Sequence, residues 1–250
     1  MKRQHSIIIL AFVFMFILLF ARVFNEKSVY QKPYVNAGSD HPLSYTFPFE
    51  SQQTSAQDIT PKIAIVIDDF GGADTTSVDE MLSINCPITV AVMPNLPNSR
   101  EHALRASTAG FQVILHLPME PDYVEPNCLG PGAIYCNLTD EEIKERLVED
   151  LDSVPSAVGI NNHTGSRATA NRRVMKVVLE VAKEHSLFFL DSLTTNKSVV
   201  APLSRDLGVP YVARNIFLDD TVKEYAIKRQ IYRMVDIARK NGSAVCIGHV

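Results

Sequence analysis

The sequence predicts an α/β fold built on a barrel-like parallel sheet, and three observations carry the prediction. Seven short apolar runs alternate with helix-forming stretches from Pro61 onward. Six of those runs end on side chains able to do chemistry: Ile63–Ile67 on Asp68-Asp69, Phe111–Leu115 on His116, Ala157–Ile160 on Asn161-Asn162-His163, Leu187–Leu190 on Asp191, Tyr211–Ala213 on Arg214, and Ala244–Gly248 on His249. In a parallel sheet the C-terminal strand ends share one face, so these residues meet in one pocket. The third observation is length: about 190 residues, from Pro61 to Val250, suffice for one domain with a core on both sheet faces and leave no room for a second.

Each element follows from local signals. Strand Ile63–Ile67 precedes a helix near Thr75–Ile84, and strand Ile88–Val92 precedes a helix near Ser99–Ala109 that Gly110 stops. Strand Phe111–Leu115 leads into a long proline-bearing loop, Leu117–Leu138. The next helix opens on Thr139-Asp140-Glu141-Glu142, a capping box in which the hydroxyl and the last carboxylate satisfy free backbone donors, and runs to Ser153. Strand Ala157–Ile160, a helix near Asn171–His185, strand Leu187–Leu190, a short helix Val200–Leu207, strand Tyr211–Ala213, a helix near Val222–Asn241 closed by Gly242, and strand Ala244–Gly248 complete the series. The last strand reads as central, and a central parallel strand is normally covered by a following helix. The expectation is therefore that the domain is incomplete at Val250.

The N-terminal residues set a compartment. Lys2 and Arg3 precede fifteen uninterrupted apolar residues, Ile7–Ala21, so residues 1–24 read as a signal peptide or signal anchor. No small-x-small cleavage site follows Phe20, and Arg22 can snorkel at an interface, which favours an uncleaved anchor. Residues 25–60, rich in Ser, Gln, Pro and Tyr without sustained periodicity, read as an extracytoplasmic linker. A periplasmic or cell-envelope location follows, with the membrane as a partner through the N-terminal segment. The net charge of −4 and the lack of a Lys/Arg cluster on the remainder give no footprint for nucleic acid.

Three of the strand-end clusters suggest an enzyme site able to hold a metal. In Asp68-Asp69-Phe70-Gly71-Gly72, adjacent side chains at a strand end diverge, so that one carboxylate can ligate a metal while the other faces a substrate water. His116 is followed four residues later by Glu120, which can supply a second ligand or orient the ring. Asn161-Asn162-His163-Thr164-Gly165-Ser166 gathers amide, imidazole and hydroxyl groups beside a glycine. Taken singly, these are an Asp turn, a packed histidine and an Asn-rich turn; on one face they make a site.

These residues resemble a known family. Asp68-Asp69, Gly110 through His116, and Ile247-Gly248-His249 are similar to the motifs of metal-dependent polysaccharide deacetylases. The runs His116-Leu117-Pro118-Met119-Glu120-Pro121, Asn161 through Ser166, Phe189-Leu190-Asp191-Ser192 and Phe217-Leu218-Asp219-Asp220 resemble its divergent branch. The resemblance spans Lys62 to His249 and implies a distorted seven-stranded (β/α) barrel carrying a divalent metal, usually Zn2+. The implied activity is removal of N-acetyl groups from an amino-sugar polymer of the cell envelope. Carried over by position, Asp68 is the general base, Asp69 and His116 are metal ligands, and His249 is the general acid. The chain departs from the pattern twice: Glu120 stands where a second histidine is expected, and Phe70 is inserted into a short Asp-Asp-Gly turn. His163 is nominated for the missing ligand position, with Glu120 as the alternative.

In that scheme Asn161, Asn162 and Arg214 are candidates for sugar or oxyanion contacts, and Asp191 for substrate contact or for orienting a histidine. Two other classes stay open: a catalytically silent envelope protein that binds glycan or metal in the same pocket, and a metallo-phosphoesterase. Cys86 and Cys246 read as buried small hydrophobes, whereas Cys128 and Cys136 flank a glycine- and proline-bearing loop and can bridge in an oxidising compartment.

Overall fold

The apolar runs become strands, and every strand pairs in parallel with its neighbours. The computed structural model describes residues 60–123 and 129–250. Its strands are β1 (Lys62–Phe70), β2 (Thr89–Val92), β3 (Gln112–Met119), β4 (Ala157–Thr164), β5 (Phe188–Asp191), β6 (Tyr211–Ala213), β7 (Ile216–Phe217) and β8 (Ser243–His249). They form one sheet in the order β6-β5-β4-β3-β2-β1-β8-β7. The edge strands β6 and β7 are joined only by Arg214-Asn215, a link that spans at most about 11 Å when extended. The sheet must therefore curl until its edges nearly meet. The link itself is tied to both flanks, Arg214 N donating to Asp191 O of β5 at 3.0 Å and Asn215 N to Val245 O of β8 at 2.8 Å.

The architecture matches the predicted parallel α/β barrel type, with eight strands in place of seven. The extra strand, β7, is a two-residue continuation of β6 beyond a kink, too short to register as an apolar run. β1, β3 and β4 also run past their predicted ends, so Asp68, Asp69, His116, Asn161, Asn162 and His163 lie within strands rather than on the loops after them. The predicted signal or anchor, the linker up to residue 59, and Cys128 with its expected bridge to Cys136 lie outside the described residues. Among the described residues, no helix is long and apolar enough to cross a membrane.

Six helices connect the strands: α1 (Thr75–Leu82), α2 (Ser99–Thr108), α3 (Asp140–Ser153), α4 (Arg172–Glu184), α5 (Val200–Leu207) and α6 (Glu224–Asn241). Their starts are chemical. Asp74 accepts from Thr76 N and Ser77 N, Asn171 accepts from Arg173 N and Val174 N, and Thr139 with Glu142 forms the predicted capping box. α4 buries Val174, Met175, Val177, Val178, Leu179, Val181 and Ala182, the face that covers the sheet.

Strand periodicity then separates two cores. Outward-facing Ile65, Ile67, Val90, Val92, Val113, Leu115 and Leu117 pack with the helices. Inward-facing Val66, Ala91, Ile114, Leu190 and Ile247 fill the barrel, with Phe188, Val212, Phe217 and Val245 against them. Gly159 belongs to the inner lining, where a Cβ would sit 2.5 Å from the Phe188 ring. Two residues further along each strand, the same inward column becomes polar: Val66 gives way to Asp68, Ile114 to His116, Leu190 to Ser192, and Ile247 to His249. An apolar floor thus carries a polar layer above it. Truncating a floor residue such as Ile114, fully buried, to Ala would cost about 2–5 kcal/mol.

Candidate metal centre

The pairing of β1 with β2 contains the decisive irregularity. Ile67 pairs with Val90 and Phe70 with Val92, so Asp68 and Asp69 together oppose the single residue Ala91. Asp69 takes a left-handed backbone conformation, φ 68°. In a regular strand adjacent side chains diverge, as expected from the sequence. The bulge instead turns both carboxylates toward one imidazole: Asp68 Oδ2 lies 3.6 Å and Asp69 Oδ1 3.3 Å from His116 Nε2. Phe70 restores the alternation and buries its ring completely in the outer core.

Three strands converge on one point. Asp69 Oδ1 is 3.3 Å from His116 Nε2 and 3.2 Å from His163 Nδ1, and the two ring nitrogens are 3.0 Å apart. Ligand atoms bound tetrahedrally to zinc at its usual bond lengths lie about 3.3 Å from each other. The triangle therefore matches one face of a tetrahedron and leaves a fourth position open. Asp69 Oδ1 is buried and has no accepted hydrogen bond among the described residues, an orphan that a cation would satisfy. Aspartate and two histidines form a donor set suited to zinc.

The protonation pattern suits that use. Asn161 Nδ2 donates to Asp68 Oδ1 at 2.9 Å, so its Oδ1 faces His116 Nδ1, also at 2.9 Å. His116 Nδ1 must then carry the proton, leaving the Nε2 lone pair for a cation. Burial works against the charge on Asp69, yet the close approach of the His116 and His163 rings holds its carboxyl far below the ordinary range. Burial likewise opposes a charged His116, but the carboxylates of Asp68 and Asp69 outweigh it and push the ring's pKa up. Asp68 is pushed up by its own burial, against the pull of His116, Asn161 and His249.

On the other side, β8 pairs with β1 and sets His249 beside Asp68. Asp219, just beyond β7, receives His249 N at 2.7 Å and faces its Nδ1 at 3.0 Å. The hydrogen bond to Asp219 lifts the imidazole to about 9, against burial and with help from Asp68 and Asp69. Phe217 stacks on the ring, with centroids 5.8 Å apart, and the Arg214 guanidinium lies 3.7 Å above Phe217.

The remaining predicted residues occupy different places. Glu120 does not join the three ligating atoms: its Oε1 pairs with Arg167 at 2.7 Å and its Oε2 accepts from Cys136 N at 2.6 Å, in a separate cleft with Tyr135 and Asn171. The four residues assigned to substrate are engaged within the protein. Asn161 bridges Asp68 and His116, while Asn162 Oδ1 accepts from Ser192 N at 2.9 Å. Asp191 accepts from Leu193 N and from Ser198 Oγ, with no histidine partner among the described residues. Arg214 donates from Nε to Ser192 O and from Nη2 to Leu193 O. Together they hold the loop after β5. The signs that pointed to substrate, amides and charges at strand tips, are the same ones that loop fixation requires. Asp219 was quoted in the sequence only as part of a motif, and its partnership with His249 was missed. An acid directly following the short apolar run Ile216-Phe217-Leu218 was the available signal.

The uncharacterized protein YibQ of Escherichia coli K12 is 38% identical over 188 residues, covering 75% of this chain and 58% of its own length. An uncharacterized protein of Haemophilus influenzae is 35% identical over 188 residues, covering 75% of this chain and 66% of its own. The matched segment thus spans about three fifths to two thirds of those relatives. The crystal structure of the uncharacterized protein ATU2773 from Agrobacterium tumefaciens C58 superposes with a TM-score of 0.71 at 21% identity, over 76% of this chain and 77% of the other, and shows a shared fold. The family model for divergent polysaccharide deacetylases matches residues 65–250, which takes in every strand from β2 onward and the whole polar layer. With that span, the chain belongs to the divergent polysaccharide deacetylase family.

Proposed function

We propose that the chain is a zinc-dependent hydrolase that removes N-acetyl groups from an amino-sugar polymer of the cell envelope. The observation that carries this reading is the triangle of Asp69 Oδ1, His116 Nε2 and His163 Nδ1, with edges of 3.0–3.3 Å beside the buried carboxyl of Asp68. Held by these three atoms, zinc would supply Lewis acidity toward the acetamide carbonyl and the attacking water. Asp68, with its affinity for protons raised by burial, takes the proton that the water loses as its oxygen bonds to the acyl carbon. Asn161 fixes Asp68 through one oxygen and leaves the other toward the site. His249, kept protonated by Asp219, delivers a proton to the amide nitrogen as the C–N bond breaks, so that acetate and a free amine leave.

The apolar run Ile7–Ala21 behind Lys2 and Arg3 supports placing this activity outside the cytoplasm, with the N-terminal segment as signal or membrane anchor and envelope polysaccharide as partner. The test is acetate release from N-acetylglucosamine oligomers by zinc-loaded protein. Turnover that Asp68→Asn abolishes while zinc stays bound is the expected result. Zinc binding without acetate release would instead favour a silent glycan- or metal-binding envelope protein, and turnover of phosphoesters alone a phosphoesterase.

A further inference from the structure

The metal triangle depends on Asp69, and Asp69 depends on an unfavourable backbone conformation. A non-glycine residue in the left-handed region is strained and persists only where its surroundings impose it. The three residues that follow are clamped in turn. Phe70 O accepts from Met93 N at 2.8 Å, Gly71 O accepts from Asn98 N at 3.0 Å, and Gly72 O accepts from Asn98 Nδ2 at 2.9 Å. Gly71 N donates to His102 Nδ1 at 2.9 Å. Gly71 has φ 113°, and a Cβ there would lie 2.9 Å from Ser99 Oγ and 3.0 Å from Met93 O, so the turn sits hard against the start of α2.

His102 is the anomalous member of this clamp. It is fully buried on α2, its ring meets Phe70 edge-on with centroids 6.3 Å apart, and its Nε2 has no hydrogen-bond partner among the described residues. Because Nδ1 accepts from Gly71, the ring proton sits on Nε2, buried and unsatisfied, and burial also disfavours a charged ring. Such a group is destabilising, and a leucine of similar volume would avoid the penalty. A leucine could not accept from Gly71 N.

We propose that His102 is a positioning residue of the metal centre: through Gly71 N and the Phe70 ring it holds the bulge that turns Asp69 toward His116 and His163. The proposal rests on the metal reading above. It also gives the inserted Phe70 a role, since its ring ties the bulge to α2 and the outer core.

The experiment measures zinc affinity by competition with a chromophoric chelator, together with the visible spectrum of the cobalt-loaded protein, at a temperature well below the unfolding of every variant. His102→Leu is expected to weaken zinc binding about 10–100-fold, the range for groups that orient ligands, and to alter the cobalt spectrum. His102→Asn, which returns an acceptor at the position of Nδ1, is expected to recover most of both. Should His102→Leu fail to fold, Asn98→Ala relaxes the same turn more gently and is expected to shift affinity and spectrum in the same sense. Parental affinity and spectrum in His102→Leu, or in Asn98→Ala where only that variant folds, overturn the positioning role while leaving the metal reading intact. Equal losses in His102→Asn and His102→Leu also overturn it, because they would trace to packing rather than to the Gly71 bond. A parent protein that binds no zinc overturns both readings together.

Discussion

Asn161 Oδ1 lies 2.9 Å from His116 Nδ1, and this one contact decides which nitrogen of the buried ring is free to ligate. The same amide donates to Asp68, so a single side chain sets the state of the proposed ligand and of the proposed base. Replacing Asn161 with Leu is expected to lower zinc affinity about 10–100-fold and to abolish turnover, although Asn161 touches neither metal nor substrate. Isothermal titration with zinc checks the first effect and acetate release the second; parental affinity would refute the orienting role.

The ligand assignment separates His163 from Glu120. His163→Ala is expected to lose stoichiometric zinc. Glu120→Gln is expected to keep it while lowering the unfolding temperature, because the Arg167 ion pair and the bond from Cys136 N join three segments. Metal analysis after gel filtration, with thermal unfolding alongside, distinguishes the two; retained zinc in His163→Ala would exclude His163 as a ligand.

Asp219 is expected to govern the alkaline limb of the pH–rate profile. A general acid must be protonated to act, and the bond to Asp219 is the largest cause of the rise of His249 to about 9. Activity should fall as pH passes through that value. Asp219→Asn removes the acceptor charge and is expected to bring the limb down toward the ordinary histidine range near ~6.5, with zinc still bound. An unmoved limb would exclude His249 as the acid.

Asp150 predicts an unusual pH dependence of stability. It is fully buried on α3, its Oδ1 accepts from Asn95 Nδ2 at 2.8 Å, its Oδ2 has no partner among the described residues, and burial pushes its carboxyl up to about 8. The folded state therefore holds a proton that the unfolded chain releases above about pH 4. Stability from this group is present below pH 4 and declines as pH rises to about 8. Asp150→Asn keeps the acceptor, discards the proton release, and is expected to stabilise the protein at pH 8 by on the order of a few kcal/mol. Chemical denaturation of both proteins at pH 5 and 8 measures the difference, which should shrink at the lower pH.

Strand positions and the convergence of Asp68, Asp69, His116, His163 and His249 were legible because apolar runs of fixed parity end on them. The bulge was not. Two adjacent aspartates read as diverging, and only the pairing of Phe70 with Val92 reveals the extra residue. Asn161, Asn162, Asp191 and Arg214 could be placed at strand tips from the sequence but their internal partners could not, because composition does not say which neighbour a polar tip meets. β7 escaped for lack of length. His102 lies on a helix face shared with Ser99, Ala103 and Ala106, a spacing that announces burial but not the Gly71 bond.

The pairing of β1 with β8 has a kinetic consequence. Cys246 Sγ reaches Ala64 O across 182 positions of sequence, and Lys62–Asp68 of β1 has β8 for one neighbour. Until Ser243–His249 is available, β1 presents a bare edge of apolar, β-branched residues, and loop closure over nearly the entire domain precedes the contacts that reward it. The nascent domain cannot complete its barrel progressively from its first strand. It must stay unfolded or guarded by a holdase until β8 has been synthesised.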